Sequence, residues 1–226
     1  MFTMNLKMSY LGFRSYVHGS SMLEGMLDCA YKHLSSQVTC NLAIRKFKIL
    51  RELNTQAYVE LLSPEEASGH SNLRDAIARL ELKSKNHDFI VLLFSKKEHL
   101  VKEYCIEYDS RIYVNRICVD SLNTVVGEIS TVETFTDFIR AIIECNRQGT
   151  VCRLESPSYA SSVRWTSLHN LKIPSLEHMQ TISQVIYTQS NVVQSGNWLF
   201  EFKKGHFPEV GDLLNHEICF CMRKSN

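Results

Sequence analysis

No apolar run in this chain of 226 residues approaches the roughly 18 to 20 residues that a helix needs to cross a bilayer. Residues 1–10 also lack the continuous apolar core of a signal peptide. With 25 basic and 24 acidic residues the net charge is +1, which gives no bulk electrostatic attraction to nucleic acid or to an anionic membrane. The sequence therefore predicts a cytoplasmic protein with neither a membrane nor a nucleic acid as partner.

Motifs for metals, phosphates and covalent catalysis are equally scarce. The eight cysteines include no C-x-x-C pair, so we expect them to be reduced and mostly buried thiols. Two histidines and two cysteines lie between residues 206 and 221, but their spacing fits no zinc template. No glycine-rich loop could cradle a phosphate, and no serine lies in a Gly-x-Ser-x-Gly context. We therefore expect no metal and no cofactor.

The first half of the chain changes from a helical period to a strand period. Apolar residues recur at intervals of three and four over residues 21–35, which predicts a largely enclosed helix. Strand-like runs follow at residues 38–44, 57–62, 104–108 and 112–119. Between them, Ser63, Pro64 and Glu66 form a helix start with a capping box. Residues 73–82 fit either a surface helix or, from Ala78 onward, a strand that pairs with residues 89–94.

The second half repeats this order. Residues 130–133 form a capping box that leads into a second apolar helix. Residues 148–162 are expected to be an insertion or crossing loop. Strand-like runs follow at residues 163–173, 181–188, 198–202 and 217–222. The order predicts an α+β protein built from two copies of one unit, residues 1–110 and 111–226.

The stretch Gly19-Ser-Ser-Met-Leu-Glu24-Gly-Met resembles the start of the central helix in β-hydroxyacyl-carrier-protein dehydratases of the hotdog superfamily. The spacing from glycine to glutamate is the same. The resemblance implies two hotdog-like repeats, each a central helix wrapped by a mostly antiparallel sheet. It also implies that Glu24 lies at the mouth of an acyl tunnel as a general acid or base. Asp28, one turn later, would lie beside Glu24.

The dehydratases of this superfamily pair the glutamate with a histidine from a preceding loop, and this chain departs from that pattern. Residues 4–17 contain no histidine, and His18 stands directly before the helix. Hydrolysis of a thioester by a water that Glu24 activates is therefore favoured over dehydration. The amides of Gly19, Ser20, Ser21 and Met22 would polarise the thioester carbonyl.

The acyl chain would then lie along Met22 and Met26. The alternative structural role for Glu24 is a capping box with Ser21. In the second repeat, Asp137 matches the helix aspartate that double-hotdog dehydratases of polyketide synthases pair with a histidine from the other repeat. His169, on an alternating strand, is a further candidate that could project into a cleft.

These residues predict an acyl-thioester processing enzyme, thioesterase or dehydratase-like, in polyketide or fatty-acid-type biosynthesis. Its partner would be acyl-CoA or an acyl carrier protein, met by basic residues at the tunnel mouth such as Lys46, Lys48 and Arg51. Two alternatives stay open: a non-catalytic hotdog module that binds an acyl group or a partner protein, and an acyltransferase or condensing enzyme resembling butenolide-signal synthases. The apolar strands are compatible with a homodimer.

Overall fold

The computed structural model describes residues 1–11, 16–35, 42–99, 105–106, 109–121, 124–130, 132–153 and 163–223. The chain divides into two compact units, Met1–Asp109 and Ser110–Asn226. In each unit a helix packs on an antiparallel sheet. No helix among the described residues is long and apolar enough to span a membrane.

Unit 1 is built around a five-stranded antiparallel sheet in the order β1-β4-β6-β5-β3. Its strands are β1 (Phe2–Leu6), β3 (Ala43–Ile49), β4 (Thr55–Leu62), β5 (Ala78–Lys83) and β6 (Asp88–His99). Two short strands, β2 (Tyr10–Leu11) and β7 (Cys105–Ile106), pair in parallel. The helices are α1 (Gly19–His33) and α2 (Pro64–Ser68), followed by a 3-10 turn at Leu73–Asp75.

Helix α1 is stabilised by the burial of its apolar residues, which lie along one side of the helix. It begins two residues before the predicted Ser21, with His18 at the N-cap. The predicted capping box of Ser21 and Glu24 is therefore wrong, because Ser21 already lies inside the first turn. The buried residues of the helix are Gly19, Ser20, Met22, Leu23, Met26, Leu27, Cys29 and Ala30.

The pairing register assigns the two faces of the unit 1 sheet. Leu6 packs against α1 at Gly25, where an added Cβ would lie 2.7 Å from its Cδ1. Directly opposed residues of antiparallel strands point to the same face, so Ala57 and the residues in register with it face α1. The opposite face carries a second apolar cluster, covered by α2 and the turn after it: Leu62, Ala67, Ala76, Ile90, Leu92 and Phe94.

The predictions for the start of α2 and for residues 73–82 concern the outer part of unit 1. The capping box before α2 is confirmed, because the Ser63 side chain accepts from the Glu66 amide and the Glu66 carboxylate accepts from the Ser63 amide. The alternatives for residues 73–82 are resolved: Ala78–Lys83 is strand β5, which forms a hairpin with β6. Of the predicted strands at 38–44 and 104–108, residues 38–41, 104 and 107–108 lie outside the described residues.

Unit 2 is built around a six-stranded antiparallel sheet in the order β10-β13-β12-β11-β9-β8. Its strands are β8 (Val114–Ser121), β9 (Thr124–Ile129), β10 (Arg164–Lys172), β11 (Gln184–Ser195), β12 (Trp198–Phe207) and β13 (Gly211–Arg223). The helices are α3 (Phe135–Arg153) and α4 (Leu176–Thr181), and 3-10 turns span Ser110–Tyr113 and Pro208–Val210.

Helix α3 differs from its prediction at both ends. The Asp137 amide donates to Thr134 Oγ1 at 3.1 Å, so Thr134 caps the helix and the predicted capping box at residues 130–133 is wrong. Ser130 instead donates to Asn115 Oδ1 at 2.8 Å. The helix also runs to Arg153, so the first part of the predicted loop is helical. Residues 154–162 lie outside the described residues.

A glycine in β12 allows two buried rings to pack against the sheet. A Cβ built on Gly205 would lie 2.5 Å from His216 Nε2 and 2.5 Å from Tyr187 Cε1. Both rings are fully enclosed, so neither can move aside without disturbing the core. This close approach explains the absence of a side chain at position 205.

Replacing Gly205 by alanine should therefore lower the free energy of unfolding by about 1 to 3 kcal/mol, the usual cost of overpacking a core. Gly69→Ala is the matched control, because the nearest heavy atom to its added Cβ is 4.0 Å away. Urea denaturation of both variants measures the difference. Equal stabilities for Gly205→Ala and Gly69→Ala would contradict the packing described here.

Candidate functional site

The N-terminus of α1 is closed by His18, which stands in the loop before the helix. Its Nδ1 lies 2.7 Å from Ser20 Oγ and accepts from the Ser20 amide at 3.4 Å. Its carbonyl oxygen accepts from the amides of Ser21 and Met22 at 3.0 and 3.2 Å.

This geometry corrects the proposed use of the helix amides. The expectation was that the amides of residues 19–22 polarise a thioester carbonyl, but those of Ser20, Ser21 and Met22 already donate to His18. Gly19 and Ser20 are also buried. The helix terminus is thus satisfied within the chain rather than presented to a ligand.

His18→Ala should destabilise the chain by about 1 kcal/mol, because it removes an N-cap acceptor. His18→Asn, which supplies a side-chain oxygen to the same amide, should restore most of that loss. Thermal or urea unfolding of the two variants makes the comparison. If alanine and asparagine behave alike, His18 is not acting as a cap.

The two carboxylates of α1 lie on its exposed face. Glu24 and Asp28 are both exposed, one turn apart. Met22 and Met26, expected to line an acyl channel, have 1% and 0% of their surface accessible and belong to the core of unit 1. An acyl chain could follow these methionines only if the core packing opened.

Asp137 lies in the first turn of α3, and its side chain is held by two contacts. Its Oδ2 accepts from Thr134 Oγ1 at 2.7 Å, and its Oδ1 lies 3.7 Å from Arg140 Nη1. Arg140 in turn donates to Tyr113 Oη at 3.1 Å. The Asp137 side chain is 26% exposed, so it is fixed in position yet reachable from solvent.

His169 points away from α3. In the register of β10 with β13, Leu168 opposes Ile218 and His169 opposes Glu217. Ile218 and Lys203 face each other across β12 and β13 on the side that α3 covers. His169 therefore lies on the opposite face, with Nε2 3.0 Å from Ser167 Oγ.

The structure thus brings together only some of the predicted site residues. His18 and Ser20 are in contact, and Glu24 and Asp28 share a helix face. Within unit 2, Asp137 and His169 lie on different sides of the sheet. Among the described residues, no group of three histidine, cysteine or acidic side chains could hold a metal ion.

The basic residues expected at a tunnel mouth lie on and just after strand β3. Lys46 opposes Glu81, and Lys48 opposes Arg79, on the face of the unit 1 sheet that points away from α1. There they border a groove of about 320 Å³ whose floor includes Leu92. Arg51 instead donates to the carbonyl oxygen of Arg74. Lys46 and Lys48 thus lie on the face opposite α1, and the placement of the three residues at a tunnel mouth stays a prediction.

Polar features of unit 2 were missed by reasoning from the sequence. One is a groove of about 560 Å³ on the outer face of the sheet, bordered by Asn170, Lys204, His206 and Glu217 among others. Asn170 has a φ of 59°, in the left-handed region that non-glycine residues rarely adopt. Lys204 and His206 alternate along strand β12, which is the one sequence signal that could have grouped them.

The interior of unit 2 also contains polar groups that the apolar patterns did not indicate. Glu201 and Lys203, side by side on β12, are each 1% exposed at the side chain. Asn146 and Thr150 face them from α3. Nearby, His216 Nε2 lies 3.1 Å from Tyr187 Oη.

Comparisons with known proteins identify the fold. No family model matches this chain, and no curated protein matches its sequence. Among solved structures, it is similar to the dehydratase domain of PpsC from Mycobacterium tuberculosis in complex with C12:1-CoA. The TM-score is 0.55 at 8% identity, and the match covers 98% of this chain and 92% of the other.

Two further solved structures are similar to this chain over most of its length. A conserved protein of unknown function with a hot dog fold from Alicyclobacillus acidocaldarius matches with a TM-score of 0.53 at 12% identity, over 100% of this chain and 93% of the other. The tesB protein of Mycobacterium avium subs paratuberculosis matches with a TM-score of 0.50 at 10% identity, over 96% and 91%. The chain has the hotdog fold.

Proposed function

We propose that this chain is a double-hotdog protein that processes an acyl thioester, carried on coenzyme A or an acyl carrier protein, in fatty-acid or polyketide-type biosynthesis. The observation that carries the proposal is a carboxylate near the N-terminus of the main helix in each unit, Glu24 in α1 and Asp137 in α3. The similar PpsC structure, solved with C12:1-CoA, supports the ligand class.

Asp137 is the stronger candidate for the proton-transfer group. Its contacts with Thr134 and Arg140 fix the carboxylate, whereas Glu24 extends from an exposed helix face. A fixed, partly enclosed carboxylate can take a proton from water as the water attacks the thioester carbonyl, and the thiol then leaves. Hydrolysis is favoured over dehydration because residues 4–17 offer no histidine as second proton-transfer group.

A panel of acyl-CoA and acyl-pantetheine thioesters of different chain length tests this proposal, with products followed by mass spectrometry. We expect release of the free acid. Asp137→Asn should reduce the rate about a hundredfold, the usual contribution of a general acid or base, and Glu24→Gln should reduce it less. Asp28→Asn is the matched control and should keep the wild-type rate. Wild-type protein that leaves every thioester and its acyl group unchanged would contradict the enzymatic proposal.

The same structure also supports a non-catalytic acyl-binding module. The observation that favours it is the closed N-terminus of α1, where His18 occupies three amides and Glu24 is left exposed. Thermal stabilisation by acyl-CoA with no change in the thioester would favour this second function. Turnover of any thioester in the panel would exclude it.

A further inference from the structure

Unit 2 encloses a cluster of four polar side chains between α3 and β12. Lys203 Nζ donates to Asn146 Oδ1 at 3.0 Å and to Thr150 Oγ1 at 2.7 Å, and it lies 3.4 Å from Glu201 Oε2. All four residues are at most 2% exposed. A lysine and a glutamate buried this completely are rare, because removing two charges from water is costly unless they are paired.

One atom of the cluster has no partner among the residues that the structure describes. Asn146 Nδ2 is buried and makes no hydrogen bond among the described residues. An amide donor without a partner is unfavourable in a protein interior, so it calls for an explanation. The Asn146 carboxamide also touches a primary amine on its oxygen side.

We infer that Lys203 and Asn146 are joined by an isopeptide bond that the chain forms by itself after folding. The arrangement supplies each part of that reaction: an amine, a carboxamide, a carboxylate beside the amine, and a hydroxyl within 3.4 Å of the carboxamide oxygen. Loss of Nδ2 as ammonia removes the unpartnered donor.

The reaction balances without any further reagent. Glu201 takes a proton from Nζ, and the neutral amine attacks Cγ of Asn146 while Thr150 Oγ1 donates to the oxygen that gains negative charge. Glu201 then passes this proton to Nδ2 and takes a second proton from Nζ, so it ends the reaction protonated. The Cγ–Nδ2 bond breaks, ammonia leaves, and the Nζ–Cγ amide remains. The carboxylate therefore acts first as a base and then as an acid.

The surroundings favour this chemistry. Phe220 opposes Glu201 and Ile218 opposes Lys203 in the pairing of β12 with β13, and both apolar residues are buried. They exclude the water that would otherwise hydrate the ammonium and carboxylate groups. Transfer of the proton from Lys203 to Glu201 replaces a buried ion pair by two neutral groups, which an apolar interior accommodates better. Packing of α3 on the sheet holds the amine and the carboxamide in contact.

Mass spectrometry of the denatured full chain is the direct test. The wild-type chain should be about 17 Da lighter than its sequence mass, since one ammonia is lost when the amine acylates. Tryptic digestion should give a branched peptide that joins Asn146 to Lys203. A cyclic imide formed at an asparagine loses the same mass but leaves linear peptides. Linear peptides that contain unmodified Asn146 and Lys203 would overturn the proposal, and this result needs no variant.

Three variants test the roles of the residues. Asn146→Asp should release water instead of ammonia, which makes that chain about 18 Da lighter than its own sequence mass. Glu201→Gln should keep its full sequence mass, because an amide at position 201 cannot take the proton from Nζ. Lys204→Gln, at the neighbouring exposed position, is the matched control and should retain the branched peptide. A branched peptide in Glu201→Gln would remove Glu201 from the proposed reaction.

Discussion

Replacing Lys203 by methionine should lower the free energy of unfolding by about 3 to 5 kcal/mol, because it removes Nζ, the group that lies beside the buried Glu201 carboxyl. Lys203 Nζ lies 3.4 Å from Glu201 Oε2, and neither side chain is more than 1% exposed. Methionine approximates the length of the lysine stem, so the loss of the Nζ contacts dominates over the loss of volume. Urea denaturation at neutral pH measures the effect.

The double variant Lys203→Met, Glu201→Leu is the control for that experiment. It removes the carboxylate as well and should be more stable than the single variant by about 3 kcal/mol. Both chains lack the Lys203 amine, so the comparison does not depend on the isopeptide bond. A double variant that is no more stable than the single one would show that Glu201 is not desolvated as the structure describes.

Acidification from pH 6.5 to about pH 4 should remove up to about 3 kcal/mol of stability through His216 alone. Burial lowers the pKa of His216 from 6.5 to about 4, since the charged ring would lose its hydration. Below pH 6.5 the His216 side chain binds a proton in the unfolded chain, whereas in the folded chain it stays neutral until the pH approaches 4. Stability therefore falls as the pH falls, until the folded-state pKa is reached.

The variant His216→Leu isolates this contribution. Its Tyr187 hydroxyl keeps the carbonyl oxygen of Ile142 as acceptor, 3.2 Å away. Unfolding free energies at pH 7 and pH 4.5 should differ by about 2.5 kcal/mol less in the variant than in the wild type. Parallel pH dependence in the two chains would mean that His216 is accessible to protons in the folded state.

The spacing of side chains along the sequence predicted those elements that depend only on residues close together in the chain. The helix over residues 21–35 and the α2 capping box rest on side chains within one or two turns, and both are present. The strand that begins at Ala78 was left open against a helix, because a short apolar run does not reveal its pairing. Its pairing with β6 resolves the choice. That pairing depends on residues 88–93, which the spacing of apolar residues within 73–82 does not include.

Helix ends were predicted less well because caps depend on a single side chain. Ser21 and Ser130 are common capping residues, yet the caps are His18 and Thr134. At the N-terminus of α1, His18 supplies both its ring nitrogen and its carbonyl oxygen. The preference for serine over histidine at the N-cap is a statistical one, so it does not predict which residue caps a particular helix.

The polar interior of unit 2 was missed for a different reason. Strand β12 was predicted to end at Phe202, so Lys203 and Lys204 lay outside every predicted element. In the structure Lys203 points toward α3, where Asn146 and Thr150 accept its hydrogen bonds. Those acceptors are 57 and 53 residues away in sequence, so no local pattern could indicate them.

Isothermal titration of the full chain with dodecanoyl-CoA, dodecanoyl-pantetheine and unacylated CoA tests the ligand class most directly. If the chain acts on acyl thioesters, the acylated ligands should bind with a negative heat-capacity change, as expected when apolar surface is buried, and more tightly than CoA. The absence of binding by both acylated ligands, or equal binding of acylated and free CoA, would contradict the account.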